Sequence, residues 1–291
     1  MNIIREFAPA KLNLYLHITG RRADGYHDLD SLVAFANVGD AIALEPSDHF
    51  RFEIEGPCAE RLSNEAIDGN LVVKAVQSLA ELVGKPLHIK LILTKNLPIA
   101  SGIGGGSSDA AAALRALAIY WHLNLDDPRL FAAAARHGQD VPVCLKIANS
   151  YLTATGTADA PMLPRVNVLL VNPNKALPTP AVYKCFRDGG FAFSPEARLA
   201  RSPADVLELI AALKARSNDL YEPARKLMPE IGSIIDALQK TPNCLLARMS
   251  GSGATCFGLY ASAEDVKQAA STLCSSYPDW WIAGTFLPVG G

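Results

Sequence analysis

The chain has 291 residues, 49% of them hydrophobic and 19% charged, and a formal net charge of −2. Its length predicts two domains, and the balanced charge excludes a strongly basic nucleic-acid surface or an acidic tail. Because a secretory signal and any long uncharged apolar stretch are missing, we expect a cytoplasmic protein without nucleic acid, membrane or obligate protein partners. Six scattered cysteines without a C-x-x-C pair favour reduced thiols.

The first part of the chain mixes strand and helix patterns. Residues 11–18 alternate with a period of two, which predicts a strand whose polar face carries Lys11, Asn13, Tyr15 and His17. A helical spacing of apolar residues predicts a further element after a turn-like Asp-Gly pair. The elements predicted in this part are strands at 31–37, 40–45, 50–55 and 87–94 and a helix at 70–83.

A glycine- and serine-rich segment, GIGGGSSDAA at 102–111, runs directly into an alanine- and leucine-rich segment that ends near Trp121. Alanine and leucine are strong helix formers, so the loop is predicted to lie at a helix N-terminus. A second helix is predicted at 127–137, and Pro142 then breaks the pattern because proline disfavours helical geometry in the residue before it. Asp140 is thereby placed at an element boundary.

The second half again alternates strands and helices, with no internal repeat. Turn residues interrupt the pattern near residues 155–165, and we predict the domain division there, as 1–158 and 159–291. The predicted elements are strands at 151–155, 166–171, 245–249, 254–260 and 279–286 and helices at 203–215, 218–226, 229–240 and 262–275.

The glycine loop is a candidate anion site. Successive glycines at 104–106, followed by Ser107, Ser108 and a helix, allow the backbone N–H groups to point at a phosphate, and the helix N-terminus adds positive potential. The loop is not a Walker A sequence, which requires Gly-Lys-Ser/Thr, and a Rossmann register from Gly102 needs a glycine where Ser107 stands. The alternative is a glycine turn that only caps a helix through Ser107 or Ser108.

Three motifs in order resemble those of the galactokinase, homoserine kinase, mevalonate kinase and phosphomevalonate kinase (GHMP) superfamily. They are APAKLNLYL at 8–16, PIASGIGGGSSDAA at 98–111 and ARMSGSGATCFGLY at 247–260. The resemblance covers almost the whole chain. It implies an α+β, two-domain GHMP kinase fold with the active site in the interdomain cleft, an ATP-binding N-terminal domain that carries the glycine loop, and a C-terminal substrate domain.

Within the superfamily, four segments resemble the 4-diphosphocytidyl-2-C-methyl-D-erythritol kinase family of the non-mevalonate isoprenoid pathway. They are GRRADGYHDLDSL at 20–32, GQDVPVCL at 138–145, PTPAVY at 178–183 and SNDLY at 217–221. This resemblance implies transfer of the ATP γ-phosphate to the 2-hydroxyl of a methylerythritol that a diphosphate joins to cytidine.

The resemblance implies two catalytic residues, Lys11 and Asp140. Asp140 would accept or orient the proton of the substrate hydroxyl, and Lys11 would stabilise that carboxylate and the transferring phosphoryl group. Asn13 lies on the same strand face as Lys11 and would hydrogen-bond the substrate. Outside this motif context, Lys11 would be interpreted as a solvated strand lysine and Asp140 as a turn carboxylate.

The resemblance also implies a pocket for the cytosine ring. Tyr26 and Tyr183 match the two aromatic positions that sandwich the base, and His27 would contact its polar edge, through its backbone or otherwise. Thr179 and Pro180 would shape this pocket. The alternative interpretation is that the tyrosines are core aromatics and His27 a turn histidine.

For ATP, the resemblance implies contacts from Asn70, Lys95 and the loop, although Asn70 could equally be a helix cap and Lys95 a surface lysine. We expect Mg²⁺ to arrive with ATP, with Ser107 or Ser108 as its protein contact and no metal site built by the protein alone. The loop residues expected to bind ATP are Pro98, Ile99, Ala100, Ser101, Gly102, Ile103, Gly104, Gly105, Gly106, Ser107 and Ser108.

Several other functions were weighed against this hypothesis. A GHMP-type kinase for another small alcohol and a non-catalytic nucleotide-binding module are alternatives, whereas the cytidine-pocket motifs disfavour a decarboxylase on the same scaffold. An esterase is disfavoured, because a G-x-S-x-G elbow centred on Ser250 needs glycines where Arg248 and Ser252 stand. The chain departs from the family pattern at Gln139 and at 158–159, which affects surroundings rather than the reacting groups.

Overall fold

The computed structural model describes residues 3–23, 25–62 and 66–288. It contains ten strands and nine α-helices within these ranges. The strands are β1 (Ile4–Arg21), β2 (His27–Pro46), β3 (Arg51–Glu55), β4 (Ile89–Thr94), β5 (Ser150–Thr153), β6 (Gly156–Asp159), β7 (Val166–Asn172), β8 (Leu246–Met249), β9 (Cys256–Tyr260) and β10 (Trp281–Leu287). The helices are α1 (Leu71–Val83), α2 (Gly105–Tyr120), α3 (Pro128–Ala135), α4 (Asp140–Lys146), α5 (Thr179–Asp188), α6 (Val206–Lys214), α7 (Tyr221–Leu227), α8 (Glu230–Lys240) and α9 (Ala263–Ser276).

Most predicted elements are confirmed in type, and the main differences have physical causes. The strands predicted at 31–37 and 40–45 form one strand, β2, in which Gly39 lies so close to β1 that an added Cβ would be 2.1 Å from the carbonyl oxygen of Ala8. Helices α4 and α5 were missed. Proline stands in the first turn of each, at 142 and 180, where a helix does not need its N–H.

The chain forms two compact units that interleave along the sequence. The first unit comprises the described residues up to Ala10, Gly39–Ile99 and Gly104–Ile147, and the second comprises Lys11–Val38, Ala100–Ile103 and the described residues from Ala148 onward. Strands β1 and β2 are long enough to contribute to both units. These units differ from a single division after residue 158, which stays a prediction.

In the first unit, β4 pairs in parallel with β3 and antiparallel with residues 41–46 of β2. Alternate residues of β4 are buried, as the period-two pattern predicts. Helix α2 packs against α1 and α4, and all of its residues from Ser108 to Ala118 are buried. Its alanines make this possible, since small side chains allow neighbouring backbones to approach closely.

In the second unit, an antiparallel sheet has the strand order β10-β7-β9-β8. A second, smaller ladder joins Ser31–Val33 of β2 to β5, and β5 to β6. The apolar core of the unit is formed by the sheet with α5, α7, α8 and α9. None of the helices in the described ranges combines the length and the apolar composition that a membrane span requires.

Arg115 anchors α2 inside the first unit. Its buried guanidinium pairs with Glu6 at 2.8 Å and donates to the carbonyl oxygens of Phe7 at 2.7 Å and of Cys144 at 3.0 Å. One side chain therefore joins α2 to β1 and to α4, the helix that begins with Asp140. A planar guanidinium can satisfy several acceptors at once in this way.

We expect Arg115→Lys to lower the free energy of unfolding by about 2–4 kcal/mol, because one ammonium cannot reach all three acceptors and leaves buried carbonyls unpaired. Urea denaturation followed by circular dichroism measures this change. The control is Arg136→Lys, whose parent side chain is half exposed and pairs with the exposed Glu81; its effect should stay within about 0.5 kcal/mol. Equal effects of the two substitutions would contradict the anchoring role.

Candidate active site

The glycine loop leads into α2, and no side chain caps the first turn of this helix. Gly104 is the N-cap of α2, with a left-handed φ of 64°, and α2 begins at Gly105. The first N–H groups of a helix have no partner within the helix, so those of Gly105, Gly106 and Ser107 form a positive end that suits an anion. The alternative in which Ser107 or Ser108 caps the helix is therefore wrong, because the helix starts before either serine.

The two serines of the loop differ in what they offer. Ser108 is fully buried; its hydroxyl donates to the carbonyl oxygen of Pro9 at 2.7 Å and its backbone N–H to Gly104 at 2.8 Å. The hydroxyl of Ser108 thus fixes the first turn of α2 to β1. Ser107 is half-buried and remains the member of the pair with access to a ligand.

Residues 100–103 belong to the second unit, and each of their carbonyl oxygens accepts a hydrogen bond there. Those of Ala100 and Ser101 accept from the N–H groups of Leu177 and Thr255, at 3.3 and 2.9 Å. That of Gly102 accepts from the hydroxyl of Ser250 at 3.0 Å, and that of Ile103 from the N–H of Lys11 at 2.9 Å. A Cβ on Gly102 would lie 2.5 Å from the carbonyl oxygen of Ser250, so this approach requires glycine.

Lys11 and Asn13 are both buried in the second unit, and a hydrogen bond between their side chains confirms that they share one face of β1. The Lys11 ammonium donates to the side-chain oxygen of Asn13 at 3.2 Å, and the Asn13 amide donates to the hydroxyl of Ser31 at 2.8 Å. Ser31 in turn donates to the backbone of Tyr15. This chain of hydrogen bonds orients the ammonium, and it excludes the interpretation of Lys11 as a solvated strand lysine.

Sequence reasoning missed two residues that build this region. Ser250 is fully buried and joins Gly102 to Asn13, whose N–H donates to its hydroxyl at 3.1 Å. Asn218 donates to the carbonyl oxygens of Met249 and Gly251, both at 2.8 Å, and so fixes the glycine turn at 249–253. The signal was present, since both residues lie in segments that carry the family resemblance.

The aromatic residues expected around the base lie in the second unit, and their role there stays a prediction. The ring stacked on Tyr183 is that of His27, with centroids 5.2 Å apart and an angle of 29°, whereas Tyr26 is 68% exposed. The His27 ring also packs edge-on against Phe186 at 5.7 Å. Burial, together with Arg21 and Arg187, lowers the pKa of His27, so its imidazole is neutral at pH 7. The side chain of His27 therefore packs beside Tyr183, and its part in a base pocket stays a prediction.

Thr179 and Pro180 lie in the first turn of α5, one helical turn before Tyr183. The hydroxyl of Thr179 lies 2.8 Å from that of Ser252, in the glycine turn that Asn218 fixes. Pro180 is exposed. Both residues stand on the same helix as Tyr183, and their role in shaping a base pocket stays a prediction.

Asn70 and Lys95, the two less specific ATP candidates, have structural partners in the first unit. Asn70 is the N-cap of α1, and its side-chain oxygen accepts from the N–H of Val72 at 2.9 Å. Lys95 is only 3% exposed, so its interpretation as a surface lysine is wrong. Its ammonium is paired with Asp109 at 2.7 Å and with Asp40, which makes direct contact with ATP unfavourable.

The three charges of this group, which we call the buried cluster (Asp40, Lys95 and Asp109), perturb one another. Burial raises the pKa of Asp109 to about 8 against the opposing attraction of Lys95, and Asp40 raises it further. Burial lowers the pKa of Lys95, but Asp109 and Asp40 outweigh it and the pKa is raised, so the ammonium stays charged. One oxygen of Asp109 is buried and accepts no hydrogen bond from the described residues.

Asp140 is the first residue of α4 and is half-buried, which confirms its predicted place at an element boundary. The preceding Gln139 is the N-cap, and its side chain makes no capping hydrogen bond. Arg115 holds the other end of the helix through Cys144. Among the described residues, no group of three or more His, Cys, Asp or Glu side chains is arranged to hold a metal ion.

We expect the free energy of unfolding to fall as the pH rises from about 4 to about 8, because of Asp109. A carboxyl group whose folded-state pKa is raised binds more protons in the folded than in the unfolded state, so the stability it contributes is lost as the pH rises through the folded pKa. Asp109→Asn mimics the protonated form. Its melting temperature relative to the parent should therefore be higher at pH 8 than at pH 5, by differential scanning calorimetry.

Asp48→Asn serves as the control for this series, since Asp48 lies in the turn after β2 and outside the buried cluster. Its difference from the parent should be the same at both pH values. The assignment of a raised pKa to Asp109 is contradicted if Asp109→Asn shows an equally constant difference.

Comparison with known proteins places this chain in a family. The profile of the GHMP kinases N terminal domain matches residues 70–146, and that of the GHMP kinases C terminal domain matches residues 199–279. A 4-diphosphocytidyl-2-C-methyl-D-erythritol kinase of Rhodospirillum rubrum is 46% identical over 97% of this chain and 92% of its own. A relative of the same name from Roseobacter denitrificans is 45% identical, over 98% and 94%.

Solved structures agree with this placement. A crystal structure of 4-(cytidine 5'-diphospho)-2C-methyl-D-erythritol kinase superposes with a TM-score of 0.78 at 30% identity, covering 98% of this chain and 100% of the other. The mevalonate kinase of L. major reaches a TM-score of 0.75 at 17% identity, over 98% and 96%, and shares the fold alone. The predicted α+β GHMP kinase fold is confirmed. The chain belongs to the 4-diphosphocytidyl-2-C-methyl-D-erythritol kinase family of the GHMP kinases, and is thus a kinase with ATP as its co-substrate.

Proposed function

We propose that this protein transfers the γ-phosphate of ATP to the 2-hydroxyl of 4-diphosphocytidyl-2-C-methyl-D-erythritol, in the non-mevalonate isoprenoid pathway. The observation that carries the proposal is the identity of 42–46% over nearly the whole chain to relatives of that name. The arrangement of charged and aromatic groups in each unit supports it. A kinase for another alcohol of the superfamily would not need an aromatic base pocket.

The proposal assigns the phosphates of ATP to the first turn of α2. The N–H groups of Gly105, Gly106 and Ser107 would donate to phosphate oxygens, and the positive end of this long helix would attract the negative charge. Mg²⁺ would arrive with ATP, with the Ser107 hydroxyl as its protein contact. There it would neutralise charge on the phosphates.

The proposal gives Lys11 and Asp140 separate roles toward the acceptor alcohol. Asp140 accepts or orients the proton of the 2-hydroxyl. The hydroxyl oxygen then attacks the γ-phosphorus of ATP, and the bond between this phosphorus and the ADP oxygen breaks. The buried ammonium of Lys11, held by Asn13, supplies positive charge that stabilises the transferring phosphoryl group. Because Asn13 keeps its amide on Ser31, the ammonium is already oriented before the substrate binds.

The proposal assigns cytosine recognition to the ring of Tyr183 and to His27. The stacking of these two rings supports an aromatic partner for the face of Tyr183. A neutral imidazole offers one donor and one acceptor nitrogen, and the polar edge of cytosine carries both kinds of group. Tyr26 is the second aromatic residue proposed for the sandwich, and Thr179 and Pro180 bound the pocket.

The first experiment measures ADP release with ATP, Mg²⁺ and 4-diphosphocytidyl-2-C-methyl-D-erythritol. We expect turnover of about 1–100 per second in the parent. Asp140→Asn and Lys11→Met should each lower kcat/KM by at least about a hundredfold, or about 2.7 kcal/mol. Asp126→Asn and Lys240→Met, which change exposed residues of the same types, are the matched controls and should retain the parent activity.

Mevalonate as substrate separates this proposal from other activities of the superfamily. Turnover with mevalonate, and none with the cytidine compound in folded protein that binds ATP, would refute the proposed substrate. ATP binding without turnover of any alcohol would favour a non-catalytic nucleotide-binding module. Full activity of Asp140→Asn would leave the substrate assignment standing and remove Asp140 from the chemistry.

A second prediction concerns Tyr183. Tyr183→Leu keeps an apolar side chain but removes the ring, and base stacking contributes about 1–3 kcal/mol, so KM for the cytidine substrate should rise at least about fivefold. KM for ATP should stay unchanged. Tyr183→Phe keeps the ring and should behave like the parent, and a loss of affinity as large as that of the leucine variant would indicate a role for the hydroxyl instead.

A further inference from the structure

The buried cluster lies within the first unit, at the end of β4 and directly before the glycine loop. Lys95 extends its ammonium between two carboxylates, Asp40 at the middle of β2 and Asp109 in α2. All three side chains are at most 4% exposed. Two strands and a helix are thus joined through one ammonium group.

Asp40 extends the cluster into the segment that leads to the loop. Its second oxygen accepts from the backbone N–H groups of Asn96 and Leu97, at 2.5 and 2.8 Å. The side chain of Asn96 donates to the carbonyl oxygen of Gly39 at 3.1 Å, beside Asp40. The chain is therefore fixed on both sides of Lys95, because the backbone N–H of Lys95 also donates to Glu55 at 2.7 Å.

The ammonium of Lys95 also lies against the first residue of α2. A Cβ built on Gly105 would be 3.1 Å from the Lys95 ammonium nitrogen and 3.8 Å from an oxygen of Asp40. The corresponding atom on Gly106 would find its nearest neighbour, a methyl carbon of Leu71, only at 4.0 Å. A side chain at Gly105, whose N–H faces the proposed phosphate site, would therefore meet the ammonium of Lys95.

We propose that Asp40, Lys95 and Asp109 are positioning residues that hold the first turn of α2 in its ATP-binding shape, so that Lys95 acts on ATP through Gly105 and not by direct contact. This inference rests on the proposed binding of ATP phosphates at that turn. Asp40 and Asp109 hold the ammonium of Lys95 in place, and the ammonium in turn limits how closely Gly105 can approach it.

Stability alone is a weak reason for such a cluster. Removing three charged groups from water costs several kcal/mol each, and well-packed apolar residues of similar size often stabilise a protein equally well. What charged groups add is a defined geometry, because the ammonium has only one position between its two partners. A positioning role uses that property directly.

The test compares Gly105→Ala with Gly106→Ala, in the parent and in the Lys95→Met/Asp109→Asn variant. This background removes the ammonium and one of its two carboxyl partners, and methionine is one atom shorter than lysine. The measurement is the dissociation constant of ATP by isothermal titration calorimetry, which does not depend on turnover.

In the parent, Gly105→Ala should weaken ATP binding at least about tenfold, because the methyl group displaces the backbone from an ammonium that cannot move. In the Lys95→Met/Asp109→Asn background the same substitution should change the dissociation constant less than about threefold. Gly106→Ala should have the same effect in both backgrounds, whatever its size. An effect of Gly105→Ala that is equal in both backgrounds would overturn the inference.

Melting temperatures keep the inference testable if the double variant does not fold. Both glycines are helical, with φ outside the left-handed region, so alanine at either position lowers the entropy of the unfolded chain. Gly106→Ala should raise the melting temperature, whereas Gly105→Ala should lower it. Equal shifts would contradict the inference. A parent that does not bind ATP would refute the proposed function instead, and is recognised from its own titration.

Discussion

The structure depends on one constraint, which is that α2 must be buried along its length while its first turn stays open. Residues Ser108 to Ala118 are buried, and Gly104 caps the helix without a side chain. Burial requires small residues, and it also requires partners for the few polar groups the helix carries. Ser108 and Arg115 have such partners in β1, and Asp109 pairs with Lys95 directly after β4. The open end then has a fixed position, which an anion site needs.

In the second unit, hydrogen bonds to the backbone, and not the burial of a helix, give the loop residues a fixed position. Its loop residues, 100–103, have no regular secondary structure, yet each carbonyl oxygen accepts a hydrogen bond. Buried backbone groups without partners would cost about 1–3 kcal/mol each. Ser250 and Asn218 provide most of the order around this segment, because each of them joins two backbone groups. Lys11 is held by its neighbours in the same network, and so its ammonium needs little reorganisation when a substrate arrives.

The sequence predicts the types of most helices and strands, but it predicts the contacts of single residues only where a local pattern determines them. Periodicity identified the polar face of β1, so that Lys11 and Asn13 were expected together, and the glycine loop was placed correctly before a helix. Local patterns could not reveal that β2 continues through Gly39, since that depends on how closely β1 approaches. The partners of Lys95 stand 55 and 14 residues away in sequence, and nothing in the local pattern separates a surface lysine from one held by two distant carboxylates.

His27 illustrates that a sequence motif predicts where a residue lies better than it predicts which groups its side chain contacts. The resemblance placed His27 and Tyr183 in one pocket, and the structure stacks their rings. A side chain at the first residue of a strand can turn in several directions, and the direction is decided by the groups packed around it. Phe186 lies against the edge of the imidazole, and two arginines disfavour its protonation. A neutral ring packs against Tyr183 at a lower desolvation cost than a charged one, so the charges around the pocket favour the same arrangement as the packing.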